Sequence, residues 1–238
     1  MTLRWLICSS IFAAGLAAGA NVAGRIELRD SKDPAVRKKQ DYSGVVVWLE
    51  RTDKSAGPKT LPIRAKILQK DKTFSPHVLT VPTGSTVDFP NLDPVFHNAF
   101  SNYDGQVFDV GLYPPGSSRS VRFGRPGIVR IFCNIHSSMT AIVAVVDSMF
   151  YDTTKSDGRF EMRDVPPGEY QLKVFHERAT TASLNAAQRS VLVTAQPATI
   201  PPITVSESGY LSIPHKDKFG REYKPVPEDT GIYPVTRK

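Results

Sequence analysis

Proline and glycine punctuate this chain along its whole length, 19 and 16 residues respectively, and long segments of helical period are absent between them. Short runs rich in β-branched and aromatic residues recur instead. They are Arg25 to Leu28, Val45 to Glu50, Arg64 to Leu68, Val78 to Val81, Thr86 to Phe89, Ser120 to Phe123, Ile128 to Phe132 and Ala141 to Val146. Arg159 to Met162, Tyr170 to His176, Ser190 to Thr194 and Ile203 to Val205 continue the series. Many short strands separated by turn signals predict an all-β sandwich or barrel. Only Ala179 to Gln188 carries a helical pattern.

The start of the chain reads as a targeting segment. Met1 to Arg4 is short and positive, Trp5 to Gly19 is apolar, and Ala18-Gly19-Ala20 offers an A-x-A cleavage signal. Residues 1–20 are therefore expected to be a signal peptide, with the mature chain starting near Asn21 and exported to a periplasm or beyond the cell. The apolar run is too short, and too rich in Ala and Gly, for a membrane span, so no transmembrane anchor is expected in the mature chain. Of the two cysteines, Cys8 leaves with that segment and Cys133 remains alone. A lone cysteine in an exported protein has no internal disulfide partner and is either a liability or a ligand.

Its neighbours favour the ligand. Cys133-Asn134-Ile135-His136-Ser137-Ser138-Met139 presents a thiolate, an imidazole and a thioether on one short loop between two apolar runs. This soft donor set suits copper better than other common metals, and one copper per chain is expected. A second imidazole is wanting, and His97 in Asp93-Pro94-Val95-Phe96-His97-Asn98 is placed to supply it. Two His and one Cys in a trigonal set, with a long axial Met, is the arrangement of blue-copper electron-transfer sites.

From about Ala65 to Asp147 the residues resemble the cupredoxin family. The matching pieces are Val87-Asp88-Phe89-Pro90-Asn91, His97-Asn98-Ala99-Phe100-Ser101 and the Cys133 to Met139 loop, in that order. The C-x₂-H-x₂-M spacing is similar to that of the amicyanins. The resemblance implies a Greek-key β-sandwich with His97, Cys133, His136 and Met139 as copper ligands. It implies that His136 reaches the surface as the electron portal while His97 lies deeper. It also implies that Asn98 bonds across to the cysteine loop and braces the two ligand segments. Ser137 and Ser138 depart from the proline found in many cupredoxin loops.

The segment after Val146 differs. Ser156-Asp157-Gly158-Arg159-Phe160 reads as a hairpin turn, and Pro166-Pro167-Gly168-Glu169-Tyr170 as a type II turn. The pair resembles carboxypeptidase-regulatory or transthyretin-like (prealbumin-like) modules, with Lys155 at a position where those have Asp. Gly24 to Leu28 and Gly44 to Leu49 fit the opening strands of the same modules. The expected organisation is a signal at 1–20, N-terminal strands at 21–62, a cupredoxin unit at 63–147, a transthyretin-like module at 148–206 and a tail at 207–238. Residues 21–62 either belong to a sandwich that the copper unit interrupts or extend the copper sheet. The tail, rich in Pro and charge, is expected to be extended or disordered, though Tyr210, Phe219, Tyr223 and Tyr233 could dock it.

The net charge of +7 favours acidic partners through long-range steering. No aromatic-interleaved basic stripe occurs, which argues against nucleic acid. Nucleotide, zinc-protease and serine-hydrolase motifs are missing, and five histidines are few for the second copper centre that cupredoxin-built enzymes need. The leading expectation is a non-enzymatic electron carrier or electron-transfer module that meets its redox partner near His136. Copper storage or delivery, and a surface-binding scaffold with incidental copper, are the alternatives. The residues do not give an oligomeric state. His77, at the start of a strand, is expected to be satisfied or on the surface rather than a ligand.

Overall fold

The computed structural model describes residues 19–52, 61–102, 105–211 and 214–223. The apolar segment with Cys8, and Tyr233, lie outside the described residues. The chain opens with β1 (Ala20–Arg29), helix α1 (Pro34–Lys39) and β2 (Val46–Arg51). Then come β3 (Arg64–Lys66), β4 (Leu68–Lys70), β5 (Thr73–Ser75), β6 (Val78–Pro82), β7 (Thr86–Pro90) and β8 (Phe100–Ser101). β9 (Phe108–Asp109), β10 (Ser118–Arg122), β11 (Gly127–Phe132) and β12 (Thr140–Val146) complete that stretch. Last are β13 (Tyr151–Thr153), β14 (Arg159–Val165), β15 (Gly168–Phe175), helix α2 (Thr181–Ala187), β16 (Arg189–Val193), β17 (Ala198–Thr199) and β18 (Ile203–Ser206). Among the described residues the fold is all-β apart from the two short helices.

Two pairs of sheets enclose two cores. In the site half, the sheet ordered β10-β7-β3 faces the sheet ordered β6-β12-β11-β8-β9, with Val87, Phe89, Phe123, Ile131 and Val143 among the residues packed between them. In the companion half, the sheet ordered β13-β2-β15-β16 faces one in which β1 pairs with β14, β17 and β18. Ile26, Val47, Leu49, Leu172 and Ile203 belong to its core. β2 and β15 run antiparallel with Leu49 opposite Leu172, so strands far apart in sequence on either side of the site half are direct neighbours.

A third apolar layer joins the halves. Side chains alternate across a strand, and β12 uses both of its faces. Ala141, Val143 and Val145 point into the site core, while Ile142 and Ala144 pack against Val46 and Phe175 of the companion half. A strand buried on both sides needs an unbroken apolar run, which is what Ala141 to Val146 provides. Thr80 and Thr153 share a hydroxyl hydrogen bond of 2.8 Å across the same seam, and His77 Nε2 meets Glu177 Oε2 at 2.8 Å.

Three local features depart from the sequence expectations. The run Arg64 to Leu68 divides at Ile67: β3 pairs with β7, whereas β4 turns away to pair with β5. Helix α1 was not foreseen; Asp33 caps it by accepting the Ala35 N–H at 2.8 Å, and Pro34 occupies its first turn. The third departure is the tail. Residues 214–223 are not extended into solvent but fold back onto the Cys133 loop through Tyr223 and His215.

Candidate metal centre

The construction of the site begins at the β4–β5 hairpin. Its two-residue turn, Asp71-Lys72, holds both residues at positive φ, 54° and 52°, as a type I′ turn requires. That turn presents its two amides to one side chain. Asp93 Oδ1 accepts from the Asp71 N–H at 2.6 Å and Oδ2 from the Lys72 N–H at 2.9 Å. Asn91 Oδ1 in turn accepts the Asp93 N–H at 3.0 Å. Burial pushes the Asp93 carboxyl up, but the Lys72 amide, the His97 ring and the Asp71 amide together hold it below the usual carboxylate range.

The fixed carboxylate then orients His97. Its Nε2 donates to Asp93 Oδ2 at 2.7 Å, with the imidazole fully buried. Backbone pairing with Tyr113 fixes the segment, His97 N–H to Tyr113 O at 3.2 Å and the reverse bond at 2.9 Å. Tyr113 is itself buried; its hydroxyl donates to Phe89 O at 2.8 Å and contacts Gln69 Nε2. Burial pushes that phenol up to about 12, so it remains a donor. With Nε2 engaged, Nδ1 is the nitrogen that faces the cysteine.

Three donor atoms converge there. Cys133 Sγ lies 4.0 Å from His97 Nδ1 and 3.7 Å from His136 Nδ1, and the three ligand atoms all lie within 4.8 Å of one another. A metal bonded at ~2.0 Å to nitrogen and ~2.3 Å to sulfur holds such donors roughly 3.8 Å apart at trigonal angles. Both sulfur–nitrogen distances lie near that value, so these three donors can share one metal ion. The thiol is buried, and burial pushes it up. The backbone N–H groups of Ile135, Asn98 and His136 oppose that shift without overcoming it. A metal entering the site must displace this proton, and a thiolate is the form that binds.

The loop is closed by its own backbone and braced from across the sheet. Cys133 N–H donates to Met139 O at 3.2 Å and Met139 N–H to His136 O at 3.1 Å. Met139 is fully buried in the core that also holds Cys133. Asn98 Oδ1 accepts the Asn134 N–H at 2.8 Å, and its Nδ2 donates to Asp109 Oδ1 at 2.7 Å. His136 is half-buried, unlike His97, and Ser137 and Ser138 are exposed.

The remaining histidines are engaged elsewhere. His77 Nδ1 donates to Thr140 O at 3.0 Å and Nε2 meets Glu177; the hydrogen bond to Glu177 raises its pKa despite partial burial. His176 is buried against Glu207, and His215 lies on the ligand loop. Reading the sequence missed Asp93, Asp109 and His215 as partners of the site, and named Tyr223 only as an aromatic that could dock the tail. Asp93 had one available signal, its position four residues before His97 in a proline-bounded turn.

Solved structures similar to part of this chain include a purple cupredoxin, amicyanins and a copper-containing nitrite reductase. A purple cupredoxin from Nitrosopumilus maritimus is 26% identical over 34% of this chain and 99% of its own, with a TM-score of 0.31. An amicyanin from Paracoccus versutus is 17% identical over 41% of this chain and 97% of its own, at a TM-score of 0.32. A copper-containing nitrite reductase from Thermus scotoductus is 24% identical over 42% of this chain, at a TM-score of 0.34; the match spans 26% of that enzyme. Each likeness leaves more than half of this chain unmatched. No protein-family model and no curated protein matches the chain.

Proposed function

We propose that this chain is an exported copper protein whose single site passes one electron at a time, with His97, Cys133 and His136 as equatorial ligands and Met139 as the weak axial one. The observation that carries the reading is the convergence of Cys133 Sγ and the two Nδ1 atoms, 4.0 and 3.7 Å from the sulfur. Copper held this way would cycle between its two oxidation states with thiolate and thioether favouring the reduced form. Asp93 holds the His97 ring so that its ligand nitrogen does not turn away, which suits a site that must change charge with little movement. Asn98 ties the two ligand segments together, and half-buried His136 is the ring nearest solvent from which an electron could leave. The basic charge of the chain suits an acidic redox partner. Export to the periplasm is supported by the apolar start and its A-x-A signal.

In the same reading, residues 63–147 are the copper unit and interrupt a second sandwich made from 21–62 and 148–206. The antiparallel pairing of β2 with β15 supports that division. The test is the visible and electron paramagnetic resonance spectrum of the copper-loaded protein. An intense thiolate-to-copper absorption with a narrow copper hyperfine splitting is expected, and Cys133→Ser should remove it entirely. Colourless binding with a tetragonal spectrum would refute electron transfer at a blue site and favour copper storage or delivery.

A further inference from the structure

The loop that carries three of the four proposed ligands has little to stiffen it from within. Its two internal backbone bonds involve Cys133, His136 and Met139, and Ser137 and Ser138 lack the fixed φ that a proline would supply. Three of its acceptors, Cys133 O, the Asn134 side-chain oxygen and Ser137 O, face outward from that closure. All three are taken by one segment more than seventy residues further along the chain. Tyr223 Oη donates to Cys133 O at 2.8 Å, the Lys218 N–H to Asn134 Oδ1 at 3.0 Å, and His215 Nε2 to Ser137 O at 2.8 Å.

Further contacts lock the segment against the loop. The His215 ring stacks on Phe132, centroids 4.2 Å apart at 32°, and His215 Nδ1 lies 3.2 Å from Tyr223 Oη. Lys218 Nζ reaches Asp109 Oδ2 at 2.6 Å, the same carboxylate that Asn98 holds through Oδ1. The segment also carries its own turn: Asp217 accepts the Phe219 and Arg221 N–H groups at 2.8 and 2.9 Å, and Arg221 Nε at 3.1 Å. A Pro- and charge-rich tail with no role here would spend its polar groups on water.

We propose that Pro214–Tyr223 is a clasp that sets the geometry of the ligand loop from outside, with Tyr223 and His215 as positioning residues. The inference rests on the copper reading above for its functional meaning, although the clasp itself can be tested without copper. Holding Cys133 O and Ser137 O on either side of His136 limits the ways in which the loop can open. It thereby keeps the thiol enclosed, slows loss of the metal and keeps the coordination uniform. Partners of ligands matter in this way because they orient the ligand atoms, and removing one lowers metal affinity by about ten- to a hundred-fold.

The test uses the full chain with Tyr223→Phe, which removes one hydroxyl, with His215→Ala, and with both changes together. In the metal-free protein, modification of Cys133 by an aromatic disulfide reagent should be faster by about fivefold in Tyr223→Phe, the effect of one hydrogen bond, and faster still in the double variant. The far-ultraviolet melting curve should stay cooperative. In the copper-loaded protein, extraction by a chelator should be about ten- to a hundred-fold faster in the double variant, with a broadened copper hyperfine pattern. His215→Gln, which keeps a donor for Ser137 O, should recover much of the wild-type rate. Unchanged thiol reactivity in all variants would overturn the clasp, whatever copper does. A wild-type protein without thiolate-to-copper absorption, but with reactivity that rises in the variants, would sink the copper reading and leave the clasp standing.

Discussion

His97 in the site half and His176 in the companion half are both buried, and each gives its Nε2 hydrogen to a carboxylate, Asp93 at 2.7 Å and Glu207 at 2.9 Å. The difference lies at the other nitrogen. His97 Nδ1 faces a thiol and a second imidazole. His176 Nδ1 has no hydrogen-bond partner among the described residues. Their carboxylates differ as well. Asp93 is held by the two backbone amides of a hairpin turn, whereas Glu207 is shared with Arg178 Nε at 3.0 Å and the Ser31 hydroxyl at 2.7 Å. One pair aims a nitrogen at a reactive group; the other ties β18 and the loop after β15 to the segment that follows β1. A buried histidine–carboxylate pair is thus no sign of a site until the second nitrogen has been accounted for.

The comparison can be broken first at Glu207. Glu207→Ala leaves the buried His176 ring without its acceptor and takes one partner from Arg178, which keeps Glu177 and Asp33, and should cost about 1–3 kcal/mol of unfolding free energy. Copper affinity per folded molecule should stay unchanged. Urea unfolding followed by circular dichroism, with copper titration at low urea, separates the two effects. A loss of copper binding without loss of stability would mean that the two pairs are not functionally distinct.

Asp93→Asn tests the opposite arm. The amide oxygen can replace one carboxylate oxygen, but the NH₂ group then faces, as a second donor, either the Asp71 N–H or the Lys72 N–H together with the His97 ring. Copper affinity should fall by about ten- to a hundred-fold, and the metal-free protein should lose about 1–3 kcal/mol of stability because a buried donor is left facing another donor. Competition against a chelator of known affinity measures the first quantity and differential scanning calorimetry the second.

The smallest expected effect is in the pH profile of the metal-free protein. Burial holds His176 below its ordinary value of 6.5, so the unfolded chain takes up this proton first and stability declines as pH falls below 6.5. Burial raises Glu207, but the bonds from Arg178, Ser31 and His176 win and hold it below 4.5. Its contribution is complete above 4.5 and disappears as pH falls through its folded value. His77 has the opposite sign: its hydrogen bond to Glu177 raises it, so its contribution is whole below 6.5 and is lost on the alkaline side. The melting temperature should therefore drop from pH 6.5 to 5 and more steeply below 4.5. A flat acid limb would contradict the neutral, buried state of His176.

What the sequence disclosed follows from where each interaction is written. Cys133, His136 and Met139 are legible because their spacing sits on one loop between apolar strands, and β12 is legible because both of its faces are apolar. Asp93 is harder. Its relation to His97 depends on the chain turning through Asn91 and Pro94, and on amides contributed by the separate β4–β5 hairpin. The bonds of His215 and Tyr223 to the loop join residues 78 and 90 positions apart, so no local pattern records them. The composition of the tail pointed toward extension or disorder, and in residues 214–223 specific pairing with the loop overrode it. The split at Ile67 is invisible for a related reason: one short strand-like run serves two different sheets.

The double-sided burial of β12 has a consequence for anyone who would cut this protein in two. A fragment ending after the site half would carry Ile142, Ala144, Val78 and Ile128 on an uncovered sheet face, the surface that now meets Val46, Trp48 and Phe175. Contiguous apolar surface of that kind promotes self-association. The companion half acts in this respect as a permanent solubility tag for the site half, and the two are best purified, titrated and mutated as one piece.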